Sequence, residues 1–207
     1  MRKVNELRQQ TVELERDYLE ALILFRAAPT ILGLKPATLL SFTPNRFNLK
    51  TLWKQYKNCF GRYWGKVFNL KWLCIKETPT GSLVLFYRPD LIEATINRTE
   101  NQIFLKNYGY HNLRTAAEYF KVLIERFRNE QFPHEVGIFL GVPAADVWQF
   151  IENRGKGYTI NGYWKVYSDP ESALKIFDKF QKSQSEMLQF IRLYYNEGVG
   201  DLLNCSR

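Results

Sequence analysis

His134 and Glu135 stand side by side in the segment FPHEVGIFLGVP, and their side chains are of the types that transfer protons in enzymes. The pKa of histidine lies near neutral pH, so His134 could act as a general acid or base, with Glu135 or Glu152 orienting its ring. The alternative is structural: His134 hydrogen-bonds a buried carbonyl and Glu135 pairs with an arginine. Neighbours on a strand point to opposite faces, so both side chains can face one substrate only in a turn.

A second set of residues could bind an anionic ligand near this pair. Lys35 is the one charge in the apolar segment 27–44, and charges seldom enter such surroundings without a partner. Gly141 would let a ligand approach the backbone where a strand meets the N-terminus of a helix. The full set is Lys35, Gly141, Arg154, Tyr163, Lys165 and Tyr167. The alternatives are that Lys35 reaches solvent and that Arg154 is a turn residue.

Residues 46–76 combine eight basic residues with eight aromatic rings and contain no acidic residue. Such a stretch could bind RNA or single-stranded nucleic acid, because the charges follow phosphates and the rings stack on bases. The alternative is a core-facing helix, since Leu49, Trp53, Tyr56 and Phe60 recur at helical spacing. An acidic protein is a further candidate partner for this surface.

Ordinary cofactor and metal motifs are missing from the sequence. It contains neither GxGxxG nor GxxxxGKS/T, so the usual dinucleotide and P-loop sites are not predicted. His111 and His134 have no further ligand at metal spacing, and the three cysteines form no CxxC pair, so no metal site is predicted either. The cofactor, if there is one, stays unknown.

The segment 132–167 must position most of the candidate residues. Its apolar run 136–142 predicts a buried strand, and Pro143 predicts the start of a helix, because proline is favoured in a first helical turn. The aromatic run 158–167 predicts a second strand, with Tyr163, Lys165 and Tyr167 on one face. This unit is expected to be parallel, with a right-handed crossover.

The rest of the chain predicts a single domain of the α+β class, with α/β as the alternative. A helix is predicted at 4–25, a strand at 37–42 and a hairpin from the runs 67–75 and 82–87. Further helices follow, and one or two end the chain. The expected architecture is a mixed sheet of about five strands covered by helices, with a core at 27–180 and helical extensions at 1–26 and 181–207.

Net charge and hydropathy indicate which partners the protein attracts and where it is located. The 207 residues carry a formal charge of +8, which attracts polyanions and acidic partners. No apolar run reaches the roughly 18 residues that a membrane span needs, and the N-terminus lacks the apolar stretch of a signal peptide. These features predict a cytoplasmic protein.

Three parts of the sequence resemble the bacterial family named domain of unknown function 3793: APTILGLKPATLLSF, LVLFYRP, and FPHEVGIFLGVPAADVWQFIENRGKGY followed by GYWKVYSD. The resemblance implies a small cytosolic protein, mostly of anaerobic bacteria, in a family without an established reaction. It also implies genes for flavodoxin and ferrous-iron transport nearby, and hence a flavodoxin-like partner or a link to iron metabolism. Relatives often carry cysteine where this chain has Ala27 and near Lys182, so any chemistry of those thiols would be lost here.

These observations favour a binding or accessory protein that contacts an anionic small molecule or an acidic protein near His134, Gly141 and Tyr163. An enzyme that uses His134 is the first alternative, and nucleic-acid binding through 46–76 is the second. The sequence does not predict the ligand or the oligomeric state.

Overall fold

The computed structural model of the protein describes residues 2–44, 48–130 and 132–196. Helices dominate this part of the chain and surround a small antiparallel sheet. The elements in chain order are α1 (Arg2–Ile31), β1 (Ala37–Phe42), α2 (Leu49–Val67), β2 (Lys71–Thr78), β3 (Gly81–Tyr87), α3 (Pro89–Ile96), α4 (Thr99–Lys106), α5 (Ala116–Asn129), α6 (Val136–Phe139), α7 (Ala144–Glu152), β4 (Ile160–Asn161), β5 (Lys165–Val166) and α8 (Pro170–Asn196).

The central sheet has three antiparallel strands in the order β1-β3-β2. Ala37 lies opposite Tyr87 in the β1–β3 pair, and a tight turn at 78–81 joins β2 to β3. The predicted strand at 37–42 and the predicted hairpin are therefore confirmed. The prediction of one mixed sheet with about five strands is wrong, because β4 and β5 form a separate antiparallel pair. Helices with small antiparallel sheets agree with the α+β class.

Strand β3 lies in the middle of the sheet and separates two hydrophobic cores. Its side chains alternate between the two faces, as strand geometry requires. Val84 and Phe86 enter a core shared with α1, α2 and α8, where Phe86 meets the ring of Trp53 edge-on. Leu85 enters a second core shared with α3 to α7. The second core supports the segment that carries His134.

The predicted strand at 136–142 is wrong: this run forms the one-turn helix α6 and a tight turn. A short apolar run shows only that the segment is buried, and Val136, Ile138 and Phe139 are indeed at most 2% exposed. Gly141 has a φ of +83°, a left-handed conformation that ends the helical turn and redirects the chain into α7. Without this strand, the predicted parallel strand-helix-strand unit and its right-handed crossover do not exist.

The predicted strand at 158–167 is also wrong as a single element. The chain reverses at Gly162, so that Ile160 pairs with Val166 across the short β4–β5 hairpin. A side chain at Gly162 would collide with the ring of Phe177 in α8. Tyr163 therefore lies in a turn, and the expected strand face shared by Tyr163, Lys165 and Tyr167 is absent.

The two terminal helices pack on each other and on the sheet. Leu19 and Ile23 of α1 share the first core with Met187 of α8. The predicted N-terminal helix extends to Ile31, and the tail forms one long helix. Residues 197–207 of the predicted C-terminal segment lie outside the described part of the chain. None of the described helices is both long enough and apolar enough to cross a membrane.

Candidate ligand-binding cleft

A cleft with a volume of about 370 Å³ lies between the segment that carries α6 and α7 and the β4–β5 hairpin. Most of its wall is apolar, and polar side chains enter it from both sides. The lining residues are Phe132, His134, Val136, Gly137, Leu140, Val142, Asp146, Val147, Phe150, Asn161, Gly162, Tyr163, Trp164 and Lys165. Its size falls within the range of small-molecule sites, and its mixture of apolar wall and few polar groups is typical of them.

Asp146 attaches the hairpin to α7 and is the one acidic residue among the described residues that line the cleft. It lies in the first turn of α7 and is 2% exposed. Its Oδ2 accepts a hydrogen bond of 2.7 Å from the indole Nε1 of Trp164. Its Oδ1 accepts bonds from the backbone N–H of Tyr167 and from the N–H and hydroxyl of Ser168, at 2.8–2.9 Å. Four donors thus engage the carboxylate, which positions Trp164 at the cleft.

His134 precedes α6 and is exposed at the cleft. Its ring contacts Phe150 edge to face, with 5.0 Å between the ring centroids. Within residues 15–44, 48–130 and 132–195, whose side chains are described, no side chain hydrogen-bonds the imidazole. Both ring nitrogens are therefore available to a ligand, whereas the acid or hydroxyl that would support proton transfer is not within reach in this part of the chain.

Glu135 points away from the cleft into the second core and is fully buried. Its Oε1 accepts a bond of 2.7 Å from Nε of Arg126, and Tyr110 donates its hydroxyl to the same oxygen at 3.5 Å. Burial, together with the charge of Glu135, raises the pKa of the Tyr110 hydroxyl. The structural alternative, an ion pair with arginine, is the arrangement found for Glu135. His134 and Glu135 do not face one substrate.

Lys165 lies on β5 and is held at the side of the cleft by three contacts. Its Nζ donates a hydrogen bond of 2.7 Å to the carbonyl of Gly155. The same ammonium lies 4.8 Å from the ring centroid of Tyr158 and 5.6 Å from that of Phe150. Phe150 thus contacts both His134 and Lys165, which brings the two nitrogen-bearing side chains to the same part of the wall.

Lys35 and Gly141 lie next to each other but are not among the residues that line the cleft. An added Cβ on Gly141 would come within 2.7 Å of Pro36 Cδ and 3.8 Å of Lys35 Cβ. The Lys35 ammonium is 5.7 Å from the ring centroid of Phe180, and Tyr163 packs on the same ring at 5.0 Å. Burial lowers the pKa of Lys35 to about 8. No carboxylate of the described side chains forms an ion pair with this ammonium.

The expected anion-binding site at the backbone of Gly141 is not formed. With no strand ending there, the N–H of Gly141 donates to the Ile138 carbonyl at 3.0 Å, and the N–H of Val142 donates to Gly137 at 2.9 Å. Both backbone donors are used inside the α6 turn. Gly141 is therefore a turn residue beside Lys35 and offers no amide to a ligand.

Arg154 and Tyr167 do not line the cleft. Arg154 is exposed in the turn after α7, with a φ of +51°. The N–H of Tyr167 belongs to the Asp146 network, while its buried hydroxyl has no hydrogen-bond partner in the described part of the chain. Burial raises the pKa of this hydroxyl. Of the eight candidate residues, the structure brings His134, Tyr163 and Lys165 into the cleft.

Sequence reasoning missed five of the lining residues: Phe132, Asp146, Phe150, Asn161 and Trp164. An acid soon after Pro143 is a recognisable helix-start signal, because negative charge is favourable in a first turn. That signal predicts the helix but does not predict that the carboxylate reaches an indole 18 residues further on. These residues come together only because the β4–β5 hairpin packs on α7.

The basic stretch 46–76 turns most of its large rings inward. Its four most buried rings are at most 9% exposed and belong to Trp53, Tyr56, Phe60 and Trp64. Two of its lysines are used locally, since Lys54 pairs with Glu77 at 2.8 Å and Lys50 donates to the carbonyl of Thr78 at 2.7 Å. Arg46 and Phe47 lie outside the described residues. The core-facing helix accounts for these rings.

A family model described as protein of unknown function (DUF3793) matches residues 23–197. The chain belongs to this family. All the residues that line the cleft lie inside the DUF3793 match, as do Lys35 and Gly141. No curated protein and no solved structure matches the chain. The geometry of the cleft therefore carries the functional argument.

Proposed function

We propose that the protein is a binding protein for a small anionic molecule, which it holds in the cleft. The supporting observation is an imbalance between donors and acceptors at the wall. Asp146 is engaged by four donors, whereas His134 has no side-chain partner in the described part of the chain. Lys165 donates one of its three N–H groups to the carbonyl of Gly155, which leaves two for a ligand. A ligand that supplies its own acceptors fits these groups.

The electrostatics of the surroundings favour the same ligand. The chain carries a formal charge of +8, so the field around the protein attracts anions. Lys35 adds a desolvated ammonium on the Phe180 ring, which the lining residue Tyr163 also contacts, and an anion bound near it would stabilise its charged form. The apolar wall lowers the local dielectric constant, which strengthens each of these interactions.

The other candidate functions have less support. Among the described side chains, an enzyme based on His134 has no orienting acid, because Glu135 is paired with Arg126 and Glu152 makes no hydrogen bond to the imidazole. Nucleic-acid binding through 46–76 lacks exposed stacking rings on much of α2. An acidic protein partner, including a flavodoxin-like one linked to iron metabolism, and a cytoplasmic location stay proposals that rest on net charge and on the family resemblance.

Native mass spectrometry of the protein purified from its own host tests the proposal. We expect a retained anion, or an anion from a small library that raises the melting temperature. At a ligand concentration of about 100 Kd the stabilisation is about 2.7 kcal/mol, which corresponds to several degrees. Two variants, His134→Ala and Lys165→Met, should weaken binding.

The control variant is Lys175→Met. Lys175 is exposed on α8 and pairs with Glu171, and neither residue lines the cleft. Its loss removes the same charge from the chain and leaves the cleft intact. Equal binding in all four proteins, or retention of a neutral or cationic ligand, would overturn the proposal.

A further inference from the structure

We propose that the anion is an aromatic acid, with one or two fused rings and a single carboxylate or phosphate group. This inference rests on the proposed function and adds the chemical class of the ligand body. It is carried by the four rings that line the cleft: Phe132 and Phe150 come from the segment that carries α6 and α7, and Tyr163 and Trp164 come from the β4–β5 hairpin.

Three of these rings are held in place before any ligand arrives. Trp164 is fixed by its bond to Asp146 and by an edge contact with Phe177 at 4.5 Å. Tyr163 donates its hydroxyl to Gln184 at 2.8 Å. Phe150 contacts both His134 and Lys165. Because these side chains are already ordered, binding does not incur the entropy cost of ordering them, which weakens many binding sites.

Two of the lining rings are partly exposed to water. Phe132 is 49% exposed, although its edge packs on Phe127 at 5.4 Å, and Tyr163 is 41% exposed. A flat ligand that enters between the two walls would cover both rings at once. Aromatic pairs gain more than the area that they bury, because edge-to-face and offset contacts are favourable in themselves. An alkyl chain of equal area lacks this gain.

The size of the cleft and the position of its donors set the shape of the ligand. A volume of about 370 Å³ is at the low end for small-molecule sites, which favours a compact ring system over a long chain. His134 and Lys165 both contact Phe150, so the acid group lies beside the ring-binding surface. A carboxylate and a phosphate monoester share the required acceptor chemistry.

Binding of four probes by the full chain tests the inference: 2-naphthoate, 2-naphthyl phosphate, decanoate and 2-naphthalenemethanol. We expect one of the two naphthyl anions to bind about tenfold more tightly than decanoate. Which of them binds better distinguishes a carboxylate from a phosphate. The Phe132→Leu variant should lose most of this advantage while its binding of decanoate changes little.

The matched control is Phe190→Leu, since Phe190 is 43% exposed on α8, far along the chain from the lining residues. If Phe132→Leu does not fold, Tyr163→Leu replaces it. Decanoate binding as tightly as the naphthyl anions, with weakening by His134→Ala, would overturn the aromatic inference and leave the proposed function standing. Equal binding of 2-naphthalenemethanol would overturn both. No binding of any probe at millimolar concentration would overturn the aromatic inference.

Discussion

Glu20 on α1 is a buried carboxylic acid whose ionisation should control the stability of the first core. It is 2% exposed, and its Oε2 accepts a bond of 3.2 Å from the hydroxyl of Tyr195 on α8. Burial raises the pKa of Glu20 from 4.5 to about 7, although Tyr195 and the nearby Arg16 act in the opposite direction. Desolvation therefore changes the pKa of Glu20 more than these partners do.

The sign of the pH effect follows from this pKa. Because the folded chain holds the proton more tightly than the unfolded chain, the neutral form of Glu20 favours folding. That contribution is fully present below about pH 4.5 and is lost as the pH rises through about 7. The difference in pKa, at about 1.4 kcal/mol per pH unit, limits the loss to about 3 kcal/mol.

Replacement of Glu20 by glutamine tests this reasoning. Glutamine has nearly the same shape and keeps an oxygen that can accept the Tyr195 hydroxyl, but it does not ionise. Urea unfolding from about pH 5 to about pH 9 should show near-equal free energies of unfolding at pH 5. At pH 9 the variant should be more stable than the wild type by up to about 3 kcal/mol.

The control for this experiment is Glu186→Gln, which removes an exposed carboxylate from α8. Its free energy of unfolding should follow that of the wild type at every pH. If Glu20→Gln also differs from the wild type by a constant amount between about pH 5 and about pH 9, then burial does not perturb Glu20 and the reasoning fails.

Four further substitutions test other parts of the structure by chemical denaturation. Asp146→Asn should cost about 2 kcal/mol, because an amide cannot accept from all four donors. Glu135→Gln should cost about 2 kcal/mol, since it removes the buried charge that pairs with Arg126, which is half-buried and keeps Glu130 as a partner. Gly141→Ala should cost about 2 kcal/mol, more than Gly109→Ala, because both glycines have a positive φ but Gly109 has open space around it. Lys35→Met should stabilise the protein at pH 7, because burial of the charged ammonium is unfavourable and lowers the pKa of Lys35 to about 8. This gain in stability should shrink as the pH rises from about 8 to 10.5, since Lys35 of the wild type loses its charge in the folded protein over that range.

Each of these expectations has a contradicting result. Unchanged stability of Glu135→Gln would mean that the pair with Arg126 does not stabilise the fold. Unchanged stability of Asp146→Asn would mean that the hairpin does not depend on the carboxylate. Equal costs at the two glycines would mean that Pro36 does not crowd Gly141. A pH-independent effect of Lys35→Met would mean that the ammonium is well hydrated in the folded protein.

Local sequence patterns predicted the helices and strands in which hydrophobic spacing and turn residues favour the same element. The loose alternation in 67–75 and the turn at 78–81 predict the β2–β3 hairpin, and helical spacing predicts α1 and α2. The run 136–142 shows where this reasoning fails. A short apolar run is compatible with a strand or a helix, and the choice depends on whether a strand partner is present. In the folded chain, the segment packs as a helical turn in the second core.

The sequence alone determined the parts of this protein that depend on near neighbours: helix and strand periods, the hairpin, the buried character of the α6 segment and the positive charge of the chain. Tertiary structure decided the composition of the cleft. His134 and Glu135 are adjacent, yet one faces the cleft and the other faces Arg126, because the α6 turn directs consecutive side chains to different surroundings. Lys165 joins His134 only because the β4–β5 hairpin is fastened to α7 through Asp146, and such a contact between distant residues leaves no periodic signal in the sequence.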